Sequence, residues 1–150
     1  MVDFLASRAR EGSKLAAILL ERVDAMDALI AGVKPLLPQI ISDYEAKLTL
    51  RFVEAIGCGD DDRVRQEMVI FAQKVDILEE IDRLQTHIAE LRRILQKGGN
   101  AGKRLDFLMQ ELNREANTLG SKSVSVETTK VAMELKVLIE QMREQVQNIE

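Results

Sequence analysis

Residues 3–33 read DFLASRAREGSKLAAILLERVDAMDALIAGV, and this stretch decides the fold class. Apolar or small residues recur along it at alternating steps of four and three, which is the spacing of a helix face that packs against a partner helix. Asp3 is placed to cap the first turn. We therefore predict one long helix over residues 3–33. Its seam consists of Leu5, Ala9, Gly12, Ala16, Leu19, Val23, Met26, Ile30 and Val33.

Four further helices are predicted from the same periodicity and from the residues that interrupt it. Pro35 and Pro38 end the first helix, and Pro38 suits the first turn of the second. A glycine-rich segment, 98–102, ends the third helix, Gly120 is predicted to end the fourth, and Ser125 to cap the fifth. The predicted helices cover residues 38–56, 62–97, 103–119 and 126–149.

The chain is therefore predicted to be all-α, with about five helices and no strand. Helices over 3–33 and 62–97 would each be on the order of 45–55 Å long, which exceeds the width of a compact domain of this size. We expect these two to be antiparallel, coiled-coil-like and projecting. The apolar spacing slips between Val75 and Ile81, where two steps of three occur in succession, and such a slip changes coiled-coil winding. Exposed seams need partners, so self-association or docking on another domain is expected.

Composition narrows the functional class. Hydrophobic residues make up 46% of the 150, which excludes general disorder, and aromatic residues only 3%, which argues against sheet-based RNA readers. The single cysteine, Cys58, excludes an internal disulfide and a cysteine-based zinc site. With a net charge of −4, any site for an anion must be a local patch. No apolar run reaches membrane length and no signal peptide opens the chain, so we expect a cytoplasmic protein without a membrane partner.

The predicted third helix carries a polar stripe with the only histidine of the chain. Asp76, Glu80, Arg83 and His87 follow one another at steps of four, three and four, and Glu79 flanks them. Carboxylates with one imidazole suit Mg²⁺ or Mn²⁺, and the histidine is a candidate acid or base. The alternative is a solvated charged face of a long helix, stabilised by the pair Glu80 and Arg83.

A basic segment surrounds the glycine-rich break. Clustered cations beside exposed backbone N–H groups favour phosphate. The segment is not a P-loop, because its glycines are one residue too close together and no strand precedes it. The alternative is a helix C-terminus with favourable cations and a flexible turn. The basic residues are Arg92, Arg93, Lys97, Lys103 and Arg104.

A stripe of amides and one acid lies on the predicted fourth helix. Asp106, Gln110, Asn113 and Asn117 step by four, three and four. Because asparagine is a poor helix former, the stripe indicates a polar interior network, a subunit contact or a ligand site. Spacing alone leaves these three open.

Two long blocks of sequence resemble the YicC/YloC family. Residues 102–122, GKRLDFLMQELNREANTLGSK, resemble its signature, and residues 76–87, DILEEIDRLQTH, resemble a second block. Residues 10–12 also fit, as do residues 134–140, 143–145 and 148–150 near the end of the chain. The resemblance covers essentially the whole chain and identifies 1–150 as the C-terminal helical domain, since members of the family carry a strand-rich N-terminal domain of similar size.

The resemblance implies a bacterial, cytoplasmic, metal-dependent endoribonuclease. Members cut single-stranded RNA with a divalent cation, Mn²⁺ or Mg²⁺, and are linked to small-RNA turnover and the stress response. They form hexameric rings, so a homo-oligomer is expected, and DNA is not an expected partner.

The resemblance also implies roles for residues in the matching blocks. The expected catalytic residues are His87, Glu80 and Glu111. The expected metal ligands are Asp76, Glu79, Glu80, Asp106 and Glu115. The RNA contacts that the resemblance implies are Arg83, Lys103, Arg104, Arg114 and Lys122. The basic segment adds Arg92, Arg93 and Lys97 as expected RNA contacts.

Three functions remain in competition at this point. The first is a metal-dependent RNA-cleaving module, in which His87 transfers the proton and the carboxylates hold the ion. The second is a non-catalytic helical scaffold that oligomerises and holds RNA, with the chemistry in an N-terminal domain. The third, a helical adaptor for other proteins, is disfavoured by the basic segment and the amide stripe.

Overall fold

The structure, a computed structural model, describes the backbone of residues 2–59, 61–75, 77–98 and 102–147. Side chains are described for 12–57, 59, 61–69, 77–98 and 103–147. Within these ranges the fold is all-α, as predicted, and contains no strand. The helices are α1 Val2–Val33, α2 Leu37–Cys58, α3 Asp61–Val75, α4 Ile77–Lys97, α5 Gly102–Lys122 and α6 Val126–Gln147, with a 3-10 turn, Lys34–Leu36, between α1 and α2.

A four-helix bundle contains the main core. Helix α1 packs against α4 and α6, and α5 packs against the same two helices, so the four form a closed ring around one apolar interior. Each contributes a stripe spaced by three and four residues, the spacing that places side chains on one helix face. Burial of one such large side chain contributes roughly 1.5–3 kcal/mol. Among those with no exposed surface are Leu19, Val23, Met26, Leu84, Leu91, Leu112, Leu119, Leu135 and Ile139.

Helices α2 and α3 pack against each other and form what we call the α2–α3 arm, residues 37–58 and 61–75. Among its described side chains, the buried apolar ones near the α2–α3 contact are Leu48 and Ala55, which are seven residues apart and share a face of α2. Ion pairs at 3.7 Å from Arg51 to Glu67 and at 3.9 Å from Arg63 to Glu54 bridge the two helices. In the described part of the arm, these two ion pairs and two buried side chains join α2 to α3.

The joint between α1 and the arm is nearly continuous. Val33 and Leu37, which flank the 3-10 turn, both have right-handed helical dihedrals. Pro35 lies in the turn and Pro38 in the first turn of α2, as the sequence predicted. Because the chain does not reverse here, α2 leads away from the bundle and the arm projects.

Glycines in the left-handed conformation end two helices. Gly59 has φ +69° after α2, and Gly98 has φ +74° after α4. A side chain at either position would be strained, which explains the choice of glycine. Their backbone N–H groups donate to Ile56 O at 3.1 Å and to Ile94 O at 3.2 Å, and these bonds close the last helical turns.

The bounds of two helices differ from those predicted. The predicted helix 62–97 corresponds to α3 and α4, which lie on either side of residue 76, and residue 76 lies outside the described residues. The prediction that Gly120 ends the fourth helix was wrong, because α5 continues to Lys122 and Gly120 keeps a negative φ. The reversal comes later, where Ser125 Oγ accepts the N–H of Thr128 at 3.1 Å and caps α6, as predicted.

Several predicted positions are not covered by the structure. Of the seam over 3–33, the side chains of Leu5 and Ala9 lie outside the described residues, as do residues 148–150 at the end of the predicted last helix. No helix in the part of the chain that the structure describes is both long and apolar enough to cross a membrane.

Two leucines of α4 test the assignment of the core. Leu84 is fully buried, whereas Leu78 is 47% exposed. We expect Leu84→Ala to lower the free energy of unfolding by about 2–5 kcal/mol, through lost burial and a residual cavity. Leu78→Ala, the matched control on the same helix, is expected to cost under about 1 kcal/mol. Urea denaturation followed by circular dichroism measures both, and equal losses would contradict the core described above.

Candidate active site

A cleft with a volume of about 630 Å³ lies between α4 and α5. Its walls are formed by one polar face of each helix, and the apolar faces of the same two helices are buried in the bundle beside it. The lining residues are Glu79, Glu80, Asp82, Arg83, Thr86, His87, Glu111, Arg114, Glu115 and Thr118. The cleft thus joins the Glu80–His87 part of the predicted stripe to a face of α5.

A hydrogen bond between His87 and Glu115 crosses the cleft. His87 Nδ1 lies 2.8 Å from Glu115 Oε2, and the Glu115 side chain is only 7% exposed. When the carboxylate accepts a hydrogen bond from Nδ1–H, the imidazole is held in one tautomer, and Nε2 is left as the basic nitrogen. A buried carboxylate that orients a histidine in this way is the usual arrangement for proton transfer.

Glu80 is the second buried carboxylate of the cleft. It is 4% exposed and accepts from Arg83 Nη1 and from Lys122 Nζ, each at 3.4 Å. Arg83 also contacts Glu79 on the solvent side. Lys122 comes from the last turn of α5, so the Glu80–Lys122 pair ties the end of α5 to the start of α4. Removing one partner of such a pair leaves the other charge buried and uncompensated.

The environment of Glu115 raises its pKa. Burial is the largest cause, because it removes water from the charged form, and the negative charges of Glu80 and Glu111 add to it. The hydrogen bond and the charge of His87 act in the opposite direction. A carboxyl group whose pKa is raised in a cleft is typical of functional sites.

Acidic groups outnumber basic ones in this cleft. Among the described lining residues there are five carboxylates and two arginines. Arg114 is exposed and, within the described part of the chain, forms no ion pair, so its guanidinium is available to an anion. A phosphate group would meet this cation but also a surplus of negative charge, which disfavours it unless a further cation takes part.

The donor types in the cleft fit an oxygen-preferring divalent cation. Glu80, Glu111 and Glu115 supply carboxylates and His87 an imidazole. Burial is the main cause of the raised pKa of Glu115, and a cation would relieve the smaller contribution from the charges of Glu80 and Glu111. In the conformation described here, no three His, Cys, Asp or Glu side chains of the described residues converge into one ligand set. Glu80 is occupied by Arg83 and Lys122, and would have to leave these partners to bind an ion.

Other predicted metal ligands lie elsewhere or are not covered. Asp76 lies outside the described residues. Asp106 does not line the cleft and accepts from Gln110 Nε2 at 3.0 Å, one turn further along α5. Glu79 lines the cleft at its exposed edge, where it contacts Arg83.

The basic segment is largely neutralised by acidic residues from other parts of the chain. Arg92 contacts both Asp24 and Asp27 of α1, and these contacts raise its pKa. Glu90 accepts from Arg93 at 2.6 Å and from Arg104 at 3.3 Å. Lys97 and Lys103 are exposed at the ends of α4 and α5. The arginines of this segment therefore hold helices together as well as carrying charge.

Sequence reasoning missed three lining residues, Asp82, Thr86 and Thr118. The two threonines each donate to a backbone carbonyl four residues earlier, Asp82 O and Arg114 O, at 2.9 Å. The signal that could have identified these three residues is their position in the sequence, close to site residues that were predicted. The amide stripe predicted on the fourth helix is absent from the cleft lining, because the adjacent stripe from Glu111 to Thr118 faces α4 instead.

Comparison with known proteins decides the family. A family model described as "Endoribonuclease YicC-like, C-terminal" matches residues 33–150. The chain belongs to this family. The resemblance seen in the sequence is thereby confirmed, and the match includes α4, α5 and the whole cleft.

Two curated relatives of this YicC-like chain are named probable endoribonuclease YicC. One, from Haemophilus influenzae, is 49% identical over 150 residues, and one from Clostridioides difficile is 40% identical over 153 residues. Each alignment covers 100% of this chain and 52% of the relative. The YicC-like chain therefore spans about half the length of the curated relatives that it matches.

The raised pKa of Glu115 predicts a particular dependence of stability on pH. Because the native carboxyl holds its proton more tightly than the unfolded one, stability falls as the pH rises from the ordinary value of 4.5 through the raised native value. Glu115→Gln removes this pH-dependent contribution to stability and keeps a hydrogen-bond acceptor for His87. We expect the stability of Glu115→Gln relative to wild type to increase with pH across that window, in urea titrations at a series of pH values. A constant difference would contradict the raised pKa.

Proposed function

We propose that this chain is the RNA-cleaving module of a YicC-like endoribonuclease and that the α4–α5 cleft is its active site. The observation on which the proposal rests is the His87–Glu115 pair, whose nitrogen and oxygen lie 2.8 Å apart. The same cleft holds buried Glu80 and Arg114, which forms no ion pair with the residues that the structure describes. The names of the matching family and relatives supply the reaction class, the cutting of RNA.

His87 is the proton-transfer group in this proposal. Glu115 holds Nδ1, so Nε2 takes a proton from the attacking oxygen or returns one to the leaving oxygen. The negative charge of Glu115 stabilises the imidazolium that forms, as a buried carboxylate does in other histidine-dependent sites. Glu115 therefore positions His87 and tunes its charge.

The cations of the cleft bind the phosphate. Arg114 is exposed and without an ion-pair partner among the described residues, so it is the first contact for a phosphodiester. Arg83 already has two carboxylate partners, Glu79 and Glu80, and its contribution depends on exchanging one of them for the substrate. Preorganised donors of this kind stabilise charge that develops on the phosphoryl oxygens.

A divalent cation, Mn²⁺ or Mg²⁺, is part of the proposal because of the acidic surplus in the cleft. Glu80, Glu111 and Glu115 are the residues that would hold it. When bound, such an ion supplies Lewis-acid stabilisation of the phosphate and offsets the carboxylates that otherwise repel RNA. Single-stranded RNA is the proposed substrate, since splayed bases allow a backbone to enter a cleft between two helices. A role in small-RNA turnover, the stress response and a cytoplasmic setting is proposed from the resemblance to the family.

The test is cleavage of a labelled single-stranded RNA by the purified chain with Mn²⁺, with Mg²⁺ and with EDTA. We expect cleavage that requires the ion and falls at least about 100-fold in His87→Gln, because the proton-transfer group is lost. Glu80→Gln is expected to lose the metal-dependent cleavage, because Glu80 is one of the residues that would hold the ion. The matched control is Glu140→Gln on α6, which replaces an exposed carboxylate away from the cleft with a carboxamide. This variant is expected to cleave RNA like wild type.

Full activity of His87→Gln would refute the proposed mechanism. Intact RNA from a folded wild-type chain that still binds RNA would instead support the second function, an RNA-holding scaffold. In that case the chemistry would lie in the half of the relatives that this chain does not span.

The ion-pair pattern predicts which cations carry RNA affinity. Arg114→Gln removes a cation that has no ion-pair partner in the described part of the chain, whereas Arg93→Gln removes one already paired with Glu90. We expect Arg114→Gln to lower the slope of log Kd against log salt by about one, and Arg93→Gln to change it less. Fluorescence anisotropy with a catalytically inactive background, His87→Gln, gives both slopes. A larger effect from Arg93→Gln would place the RNA on the basic segment instead.

A further inference from the structure

Two cations from the protein share one oxygen of a buried carboxylate. Arg83 Nη1 and Lys122 Nζ each lie 3.4 Å from Glu80 Oε1, and the Glu80 side chain is only 5% exposed. Water is therefore in a poor position to replace a partner that leaves, and a buried charge without a partner is strongly destabilising. The partners of Glu80 can be exchanged for another cation, but they cannot be lost without a large cost in stability.

A second carboxylate on α4 shows the importance of this burial. Glu90 also accepts from two cations, Arg93 at the same spacing of three residues and Arg104 of α5. The Glu90 side chain, however, is 33% exposed, so water can take the place of either arginine. Of these two carboxylates, only Glu80 therefore has to exchange one cation for another.

Arg83 is better placed than Lys122 to leave Glu80. The Arg83 side chain is 53% exposed, lines the cleft and also contacts Glu79 at the exposed edge. Lys122 is less exposed and joins the last turn of α5 to α4. A guanidinium that turns from Glu80 toward solvent stays at the cleft, where the phosphate of a bound RNA would be a new partner for it.

We propose that Arg83 and Lys122 occupy Glu80 in place of the divalent cation, so that RNA and the ion bind cooperatively. This inference rests on the proposed function, in which the cleft takes both ligands. A phosphate that draws Arg83 away leaves buried Glu80 short of one positive charge, and the carboxylate then binds a divalent cation more tightly. Conversely, Glu80 that has taken an ion releases Arg83 for the phosphate. The two effects are equal in size, because coupling between two binding sites is reciprocal.

The coupling makes each ligand bind weakly without the other. In the absence of RNA, the two protein cations compete with a divalent cation for Glu80. In the absence of the ion, the five carboxylates among the described lining residues repel a phosphate. Coupling between sites commonly corresponds to roughly 5- to 150-fold in affinity, and we expect at least about tenfold here.

Fluorescence anisotropy of a labelled single-stranded RNA, with Mn²⁺ and with EDTA, tests the coupling in the inactive His87→Gln background. We expect Mn²⁺ to lower the Kd for RNA at least about tenfold. When Arg83→Gln is added, the ratio of the two Kd values should fall to about one, because no guanidinium is left to exchange. The matched control is Arg93→Gln, which removes an arginine of similar exposure that is paired at the same spacing. This control should keep the ratio of the background.

A second measurement needs no RNA. The EPR signal of free Mn²⁺ gives the affinity of the chain alone for the ion. Arg83→Gln is expected to raise this affinity several-fold by removing a competing cation, whereas Arg83→Lys keeps the charge and should leave it unchanged. Circular dichroism checks that each variant is folded. If Arg83→Gln does not fold, Lys122→Gln gives the same test through the other cation on Glu80.

An affinity for RNA that Mn²⁺ does not change, or a coupling that persists in Arg83→Gln, would overturn the proposal. An equal loss of coupling in Arg93→Gln would overturn it too. If the wild-type chain nevertheless cleaves RNA only with metal, the proposed function stands and the coupling alone is refuted. If the coupling is found but the wild-type chain does not cleave RNA, the exchange at Glu80 stands and the proposed cleavage is refuted.

Discussion

Packing between α4 and α5 is the contact on which the candidate active site depends. Leu84 and Leu91 on α4 and Leu112 and Leu119 on α5 have no exposed surface. His87 follows Leu84 by three residues, and Glu115 follows Leu112 by three, so both lie at the edge of the same apolar seam. Burial of the seam fixes the two helices far more strongly than the polar pair across it does. The packing of these buried leucines therefore determines where His87 and Glu115 lie relative to each other.

The same packing gives Glu115 its unusual environment. A carboxylate at the edge of a core loses water on one side and keeps polar neighbours on the other. Its pKa is raised by that burial and by Glu80 and Glu111, while His87 opposes the change. Opposing influences of this kind make the protonation of Glu115 responsive to changes in the charge of the cleft. An ion or a phosphate that enters the cleft alters that charge directly.

Much of the fold could be predicted from the sequence, because apolar spacing and helix-ending residues are local signals. The prolines after α1 and the cap at Ser125 were predicted correctly, and so was the seam of α1 from Leu19 to Val33, whereas Gly12 of the predicted seam is exposed. The slip in spacing between Val75 and Ile81 falls where α3 ends and α4 begins. Gly120 was misassigned, because a glycine tolerates a helix interior when the chain reverses a few residues later.

The same reasoning could predict the α4 side of the candidate site but not its α5 side. The stripe from Glu80 to His87 shares one face of α4 by spacing alone. On α5 two polar stripes run side by side, and spacing cannot say which of them borders another helix. The partners of the basic segment were also hidden, since Asp24 and Asp27 lie 68 and 65 residues before Arg92 in the chain. Such contacts follow from helix packing, not from neighbouring sequence.

The nearly continuous joint between α1 and α2 makes the arm a lever. Helix α2 has 22 residues, about 33 Å at 1.5 Å per residue. A rotation of ~10° at the 3-10 turn would therefore displace the far end of the arm by ~6 Å, while α1 stays seated in the bundle. The two prolines limit the turn to a narrow range of backbone angles. The direction of the arm is thus set within five residues, 34–38, and small substitutions there would be magnified at its tip.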